Sequence, residues 1–186
     1  MTLHSLLGEV LEELRGTLSG AEESAVQELL DRITAANRLF LAGTGRSGFM
    51  VRAFAVRLMH LGFTAYVAGE TVTPDIRAAD LLVLGSGSGE TEGLRAMAEK
   101  ARRLGAPVAL VTASPQSAIG RLADVVVTLP APTPKGRPAR AVPSIQPMGT
   151  LFEQSLLLFL DLVVLLLMER KRIGPEAMFA RHANLE

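Results

Sequence analysis

The 186-residue sequence has no cysteine, and its lysine and arginine residues equal its aspartate and glutamate residues at 19 each. The absence of cysteine excludes disulfide bonds and thiolate metal sites. The absence of net charge argues against nucleic acid as a partner, because no overall field attracts a polyanion. There is neither an internal repeat nor a low-complexity segment, and the chain is too short for two full domains. We therefore expect one globular domain over residues 1–186.

The sequence also lacks a clear signal for export or for membrane insertion. The N-terminal string MTLHSLLGEVLEEL carries acidic residues where a signal peptide carries basic ones, so we expect a cytoplasmic protein. The apolar run over residues 155–168 is shorter than the roughly 20 residues of a membrane span and contains Asp161. Because this run is apolar on all sides, it predicts a buried helix, part of which is covered by another subunit.

Apolar runs typical of buried strands alternate with helical patterns along the chain. We predict strands at residues 38–42, 64–68, 80–84 and 107–111 and a fifth in the string DVVVTL. Two helices over residues 1–36 precede the strands, and further helices are predicted at 47–60, 90–104 and 117–122, from near Gly149, and after Pro175. The pattern predicts an α/β fold with three layers: a doubly wound, five-stranded parallel sheet in the flavodoxin-like order 2-1-3-4-5, with N-terminal helices and a C-terminal helix.

A proline-rich stretch interrupts this pattern between the core, residues 38–129, and the C-terminal helices, residues 149–186. Six of the ten prolines lie between residues 130 and 147, together with Lys135, Arg137 and Arg140. Proline disfavours both helix and sheet, so residues 130–148 are predicted to be a loop, of a length that is common in lids and binding loops. The sequence assigns no role to its three basic residues.

Two glycine-rich turns follow the first and third predicted strands, GTGRSG at residues 43–48 and SGSGET at residues 86–91. In the predicted strand order these strands are neighbours at the point where the chain changes direction, which is where ligands bind. Each turn opens a helix, whose N-terminal N–H groups favour an anion. The side chains of Ser47, Ser86, Ser88 and Thr91 add hydroxyl donors, so the turns predict a phosphate site. Alternatively, the glycines only form tight turns and the serines only cap helices.

A second alternative is a dinucleotide site. GTGRSG matches the G-x-G-x-x-G fingerprint, and Glu70 lies about 20 residues further along, where that fingerprint has an acidic residue. A dinucleotide enzyme also needs a substrate domain, for which this chain has little room. The second, hydroxyl-rich turn fits a monophosphate better than an adenosine.

Further strings point to a specific family. GTGRSGFM, AVRLMHLGF, YVAGET-x-TP, SGSGET, S-x-QPMGTLFEQ and RHANLE follow one another from Gly43 to the C-terminus. Together they resemble the 6-phospho-3-hexuloisomerases of the SIS (sugar isomerase) superfamily. SGSGET alone marks the superfamily, whereas QPMG-x-LFEQ and HANLE are typical of this family. The resemblance implies a metal-independent homotetramer without a cofactor that interconverts 6-phospho-3-hexulose and fructose 6-phosphate. It also implies a pathway partner, 3-hexulose-6-phosphate synthase, in formaldehyde fixation by the ribulose monophosphate pathway or in its reverse.

The resemblance also implies roles for individual residues. Glu153 matches the residue taken as the proton acceptor, and the substrate-binding positions are Ser47, Ser86, Gly87, Ser88, Gly89, Glu90 and Thr91. We add Gly45 and Arg46 at the same helix entrance, where Arg46 could orient sugar hydroxyls or phosphate or could simply be a surface residue. Thr150 and Glu153 have capping-box spacing, so Glu153 could instead bond the backbone at the helix start.

Histidine is the remaining candidate for proton transfer between the two hydroxyls of an enediol, because it titrates near neutral pH. His60 ends the helix that Ser47 begins, about 20 Å away at 1.5 Å per residue, so it cannot serve the same crevice in its own subunit and is predicted to be a helix C-terminal cation or an interface contact. His182, near the chain end, could reach a crevice of its own or of a neighbouring subunit, and we select it. Two other functions stay open: an isomerase of another sugar phosphate, such as a heptose or arabinose phosphate, and a non-catalytic sugar-phosphate-binding module.

Overall fold

The computed structural model describes residues 2–135 and 141–185. Five parallel strands form one sheet: β1 Leu39–Gly43, β2 Ala65–Val67, β3 Leu81–Gly85, β4 Val108–Thr112 and β5 Val125–Thr128. Their order in the sheet is β2-β1-β3-β4-β5, with Leu39 of β1 opposite both Ala65 of β2 and Leu81 of β3. The predicted α/β class, strand direction and strand order are confirmed.

Helices cover both faces of this sheet. They are α1 Leu3–Leu18, α2 Glu23–Ala35, α3 Gly45–His60, α4 Glu92–Arg103, α5 Thr150–Lys171 and α6 Pro175–Phe179. The predicted helix at residues 117–122 is wrong, because this segment forms turns around the second glycine-rich turn. There the Ile119 N–H donates to the Gly89 carbonyl at 3.0 Å, and a side chain at Gly120 would meet the Pro115 carbonyl oxygen.

Alternate residues along β1 to β4 serve two separate cores, as expected for a sheet buried on both faces. Leu41, Val83 and Val111 point to the face that packs with α2, α3 and α5. Phe40 and Leu84 point to the opposite face, which packs with α4. Since β1 and β3 are central and adjacent, the turns that follow them open at the same edge of the sheet.

By length and composition alone, the helix α5 could cross a membrane, because it contains an apolar stretch of 18 residues with a mean hydropathy of 2.2. Half of that apolar stretch is buried, and α5 packs against α1, α2 and α3, as the core helix of a soluble protein does. Its other side shows an exposed stripe at Leu158, Leu162 and Leu165, which are 39%, 47% and 59% exposed. The helix therefore has one face in the core and one mainly apolar face, interrupted by the exposed Asp161, without cover in the single chain.

Candidate active site

A cavity of about 350 Å³ opens at the carboxyl ends of β1 and β3. Both glycine-rich turns line it, together with the start of α5 and two parts of the proline-rich loop. The lining residues are Thr44, Gly45, Arg46, Ser47, Gly85, Ser86, Gly87, Ser88, Thr91, Thr133, Pro134, Lys135, Met148, Gly149, Phe152 and Glu153. The two turns therefore do meet at one crevice, as their positions after neighbouring strands predict.

The first turn directs the start of α3 toward this cavity. Gly45 is the first residue of α3 and has φ of +56°, a left-handed conformation that glycine adopts without strain. Thr44 precedes the helix but makes no capping hydrogen bond with its side chain. The first residues of α3, among them the half-buried Ser47, consequently line the cavity, where the N–H groups of a helix start favour an anion.

The second turn is fixed by hydrogen bonds to the neighbouring strand. The Gly87 carbonyl accepts from the Ala113 N–H at 3.1 Å and from the Thr112 hydroxyl at 3.2 Å. Inside the turn, the buried Ser86 Oγ accepts from the Gly89 N–H at 3.1 Å. A Cβ at Gly87 would lie 3.0 Å from the Phe152 ring, so a larger residue here would push this turn and α5 apart by a few tenths of an ångström.

Two of the predicted substrate-binding residues, Gly89 and Glu90, are not among the residues that line the cavity. Glu90 is exposed, and its Oε1 accepts a hydrogen bond from the Ala118 N–H at 2.9 Å. The Glu90 N–H itself donates to Ser88 Oγ at 3.3 Å. In the single chain these residues hold the turn in shape, and their role toward a substrate stays a prediction.

Glu153, the predicted proton acceptor, lies in the first turn of α5 and faces the cavity. Its carboxylate forms an ion pair with the Arg46 guanidinium, so the two candidates from distant parts of the sequence are in contact. The Glu153 side chain is 18% exposed and that of Arg46 is 58% exposed. The pair thus places a poorly solvated carboxylate beside a cation at the mouth of the site.

The alternative role for Glu153, as a partner in a capping box, does not fit the start of α5. Gly149 is the N-cap, and within the described part of the chain no side chain caps this end. Thr150 is already the first helical residue, and its hydroxyl donates to the Pro147 carbonyl at 2.7 Å. Glu153 is therefore one residue too far along the helix for the capping geometry, and its carboxylate bonds to Arg46 instead.

The proline-rich loop supplies lining residues that the sequence did not indicate. Thr133, Pro134 and Lys135 come from its beginning, and Met148 and Gly149 from its end. Lys135 adds a second cation to the cavity. The length and the prolines of the loop suggested a cover for a binding site, but no local pattern distinguished Lys135 from Arg137 and Arg140, which lie outside the described residues.

The two histidine candidates lie together at the far end of α3, away from this cavity. The rings of His60 and His182 stack with centroids 5.5 Å apart, and the Arg181 guanidinium donates to the His60 carbonyl at 3.3 Å. With Leu165 of α5 they border a second cavity of about 410 Å³. His60 is 4% exposed, and burial, followed by the nearby charges of Arg57 and His182, lowers its pKa. In its own chain His182 therefore does not meet Glu153.

The arrangement at the first cavity suits a phosphorylated substrate that exchanges a proton. Two helix N-termini and several hydroxyls can hold a phosphate, while Glu153 can move a proton beside the cation of Arg46, which can neutralise an oxyanion. Within residues 2–135 and 141–185, no group of three His, Asp or Glu side chains has the closeness of a metal site.

Comparison with known proteins places these features in a family. The SIS domain model matches residues 32–158. The 3-hexulose-6-phosphate isomerase of Bacillus subtilis is 46% identical over 180 residues, which cover 97% of each chain. The enzyme of the same name from Mycobacterium gastri is 41% identical over 97% of this chain and 89% of its own.

A solved structure gives the same result. A crystal structure of a Methanococcus jannaschii protein, whose molecular function was inferred from it as 3-hexulose-6-phosphate isomerase, superposes with a TM-score of 0.83. It is 34% identical and covers 98% of both chains. The chain is thus a SIS domain protein, and it belongs to the family of the 3-hexulose-6-phosphate isomerases.

Proposed function

We propose that this enzyme interconverts 6-phospho-3-hexulose and fructose 6-phosphate in the ribulose monophosphate pathway of formaldehyde fixation or in its reverse. The observation that carries the proposal is one cavity in which Glu153, paired with Arg46, faces the two hydroxyl-rich turns. Such a cavity offers a phosphate site and a proton acceptor within the reach of one sugar phosphate. Relatives named for this activity, at 38–46% identity, support the choice of substrate.

The reaction moves a carbonyl group from C3 to C2 and needs no net change in oxidation. Glu153 removes the proton from C2 of the 3-ketose, and the electrons of that C–H bond form an enediolate across C2 and C3. The protonated Glu153 returns the proton to C3 as the C2 hydroxyl gives up its proton and becomes the new carbonyl, and the former carbonyl oxygen on C3 takes up a proton to become a hydroxyl. Arg46 stabilises the negative charge that develops on the enediolate oxygen. Ser47, Ser86, Ser88 and Thr91 hold the phosphate with the helix N-termini.

We further propose that the enzyme is a cytoplasmic homotetramer that works beside 3-hexulose-6-phosphate synthase. The exposed leucines Leu158, Leu162 and Leu165 support assembly, because a cluster of exposed apolar side chains on one helix face is usually covered in a soluble protein, even with one acid, Asp161, among them. Leu165 also borders the cavity of His60 and His182, so a contact through α5 would bring that histidine pair to the interface. His182 would then serve the proton exchange of a neighbouring subunit.

A substrate panel tests the proposed function. The purified enzyme is offered 6-phospho-3-hexulose, arabinose 5-phosphate and a heptulose 7-phosphate, and each product is identified by chromatography. We expect turnover of the 3-hexulose phosphate alone, with fructose 6-phosphate as product. Preference for another sugar phosphate would indicate a sister isomerase, and binding without turnover of any of the three would indicate a non-catalytic module.

A further inference from the structure

Among the acidic residues of α1, Glu13 alone is buried, and its side chain faces the end of the proline-rich loop. Glu13 is 9% exposed, and α1 is otherwise a largely exposed amphipathic helix. Its carboxylate accepts three hydrogen bonds, all from consecutive residues of the loop. They come from Ser144 Oγ at 2.8 Å, the Ile145 N–H at 2.6 Å and Gln146 Nε2 at 2.9 Å.

These three donors form a compact receptor for one carboxylate. Ser144 Oγ also accepts from the Gln146 N–H at 3.0 Å, so its own proton is directed at Glu13. Burial alone would raise the pKa of Glu13, but the hydrogen bonds from Gln146, Ile145 and Ser144 together lower it. The carboxylate is therefore the ionised partner of this segment, and charge-assisted hydrogen bonds are the strong ones. The S-x-Q part of the string S-x-QPMGTLFEQ thus binds the carboxylate of Glu13.

The same segment continues directly into the wall of the active-site cavity. We call residues 141–149 the strap. After Gln146, the Pro147 carbonyl accepts from the Thr150 hydroxyl, and Met148 adopts a left-handed φ of +57°. The Gly149 carbonyl then accepts from the Glu153 N–H at 3.0 Å. Met148 and Gly149 line the cavity, so the strap joins Glu13 to the first turn of α5 in a few residues.

A second contact fixes the other end of the strap against the same helix. Val142 lies against Gly16, one turn of α1 beyond Glu13, and the Val142 N–H donates to the Pro130 carbonyl at 2.9 Å. The Pro130 end of the loop leads to Thr133 and Lys135 in the cavity. The strap thus contacts α1 at two places and is hydrogen-bonded to the start of the loop at Pro130.

We propose that Glu13 is a positioning residue for the active site, which holds the strap so that Met148, Gly149 and the Glu153 turn keep the cavity in shape. The inference rests on the proposed function only because the isomerase reaction is used to measure the effect of replacing Glu13. Glu13 touches neither the cavity nor the reacting groups. Its loss should therefore act on the strap-lined part of the site and leave the phosphate turns, which belong to other elements, intact.

The test compares Glu13→Ala and Glu13→Gln with Glu12→Ala, the matched control. Glu12 is the neighbouring acid on the same helix, but it is exposed and pairs with the equally exposed Arg15. Each variant is assayed for kcat and KM, for inhibition by inorganic phosphate, and for hydrogen exchange of the peptide that covers the strap. All measurements are made at a temperature where circular dichroism shows the variant to be folded.

We expect Glu13→Ala to lower kcat/KM by about 10- to 100-fold, since an error of about 1 Å in a site can cost that much. Phosphate inhibition should stay within about twofold of wild type, and the Ile145 amide should exchange faster. Glu13→Gln, which keeps an acceptor for the Ile145 N–H, should recover part of the loss. Glu12→Ala should change no value by more than about twofold, as surface substitutions do.

Three results would overturn the inference. Unchanged exchange in the strap of Glu13→Ala would show that Glu13 does not hold it. Faster exchange with an unchanged kcat/KM would show that the strap does not shape the site. A lower melting temperature as the sole effect would leave Glu13 a structural residue. If the wild type has no isomerase activity, the proposed function fails, and strap exchange together with fructose 6-phosphate binding by calorimetry decides the role of Glu13.

Discussion

Replacing Glu153 by glutamine removes the proposed base while keeping the shape of its side chain. The amide cannot accept the C2 proton, but its oxygen can still accept a hydrogen bond from Arg46. Loss of a general base costs roughly 10²–10⁴-fold in kcat, which corresponds to about 2.7–5.4 kcal/mol at 1.36 kcal/mol per tenfold. The phosphate-binding turns are untouched, so we expect KM to stay within about threefold of wild type, as a change confined to the transition state requires.

The structure also limits what this substitution does to stability. Glu153 makes no capping hydrogen bond, and its ion-pair partner Arg46 is more than half exposed, so the pair is worth at most about 1 kcal/mol. The variant should therefore fold normally, and its loss of activity cannot be assigned to unfolding. The matched control is Glu92→Gln, which changes an acid in the first turn of α4 that does not line the cavity.

Solvent isotope exchange makes the assay specific to the base. Wild-type enzyme in deuterium oxide should place deuterium at C3 of fructose 6-phosphate, because the carboxyl proton of protonated Glu153 can exchange with solvent before it is returned to carbon. Glu153→Gln should lose this exchange in proportion to kcat, whereas Glu92→Gln should keep both. Near-normal kcat and normal exchange in Glu153→Gln would refute Glu153 as the base.

Further predictions concern the phosphate, the chain end and pH. Ser86→Ala and Ser88→Ala should each raise KM and the inhibition constant of inorganic phosphate roughly 10- to 150-fold, since a lost hydrogen bond to a charged group costs about 1.5–3 kcal/mol; unchanged values in both would place the phosphate elsewhere. Removing residues 181–186 should abolish turnover while the fold survives, and a folded truncation with normal kcat would contradict the role of the chain end. Sedimentation equilibrium should show the full-length chain as a tetramer, and an active monomer would contradict the assembly. Because the pKa of His60 is lowered in the native state, the native state binds fewer protons than the unfolded state as the pH falls below 6.5. The contribution of neutral His60 to the free energy of unfolding is therefore complete above pH 6.5 and declines as the pH falls. The melting temperature should drop between pH 7 and pH 5 more in wild type than in His60→Gln, and parallel curves would contradict this assignment.

The fold was largely predictable because its signals are local. Continuous apolar strands, helical periodicity and glycine-rich turns lie within short stretches, and the order 2-1-3-4-5 then brings the turns after β1 and β3 together. The failure at residues 117–122 has a tertiary cause. That segment wraps around the Gly89 turn and bonds to it, which outweighs a modest helical pattern.

Beyond the two glycine-rich turns, the residues of the site were predictable only where they lie in strings typical of the family. Glu153 came from a resemblance, while its spacing from Thr150 equally suggested a cap, and only the helix start at Thr150 separates these roles. Met148 was not identified, because its segment is held by hydrogen bonds between Glu13 and residues more than 130 positions away. Such a contact leaves no periodic pattern in the sequence. The donors Ser144 and Gln146 lie within a string typical of the family, but their partner Glu13 lies outside it.

The most direct test of the central claim is a coupled assay with 3-hexulose-6-phosphate synthase, formaldehyde and ribulose 5-phosphate. The synthase supplies 6-phospho-3-hexulose, and the formation of fructose 6-phosphate is followed with and without this enzyme. We predict that fructose 6-phosphate forms only when the enzyme is present and that Glu153→Gln reduces its formation by at least about 10²-fold. Accumulation of 6-phospho-3-hexulose without fructose 6-phosphate in the presence of folded wild-type enzyme would contradict the proposed function.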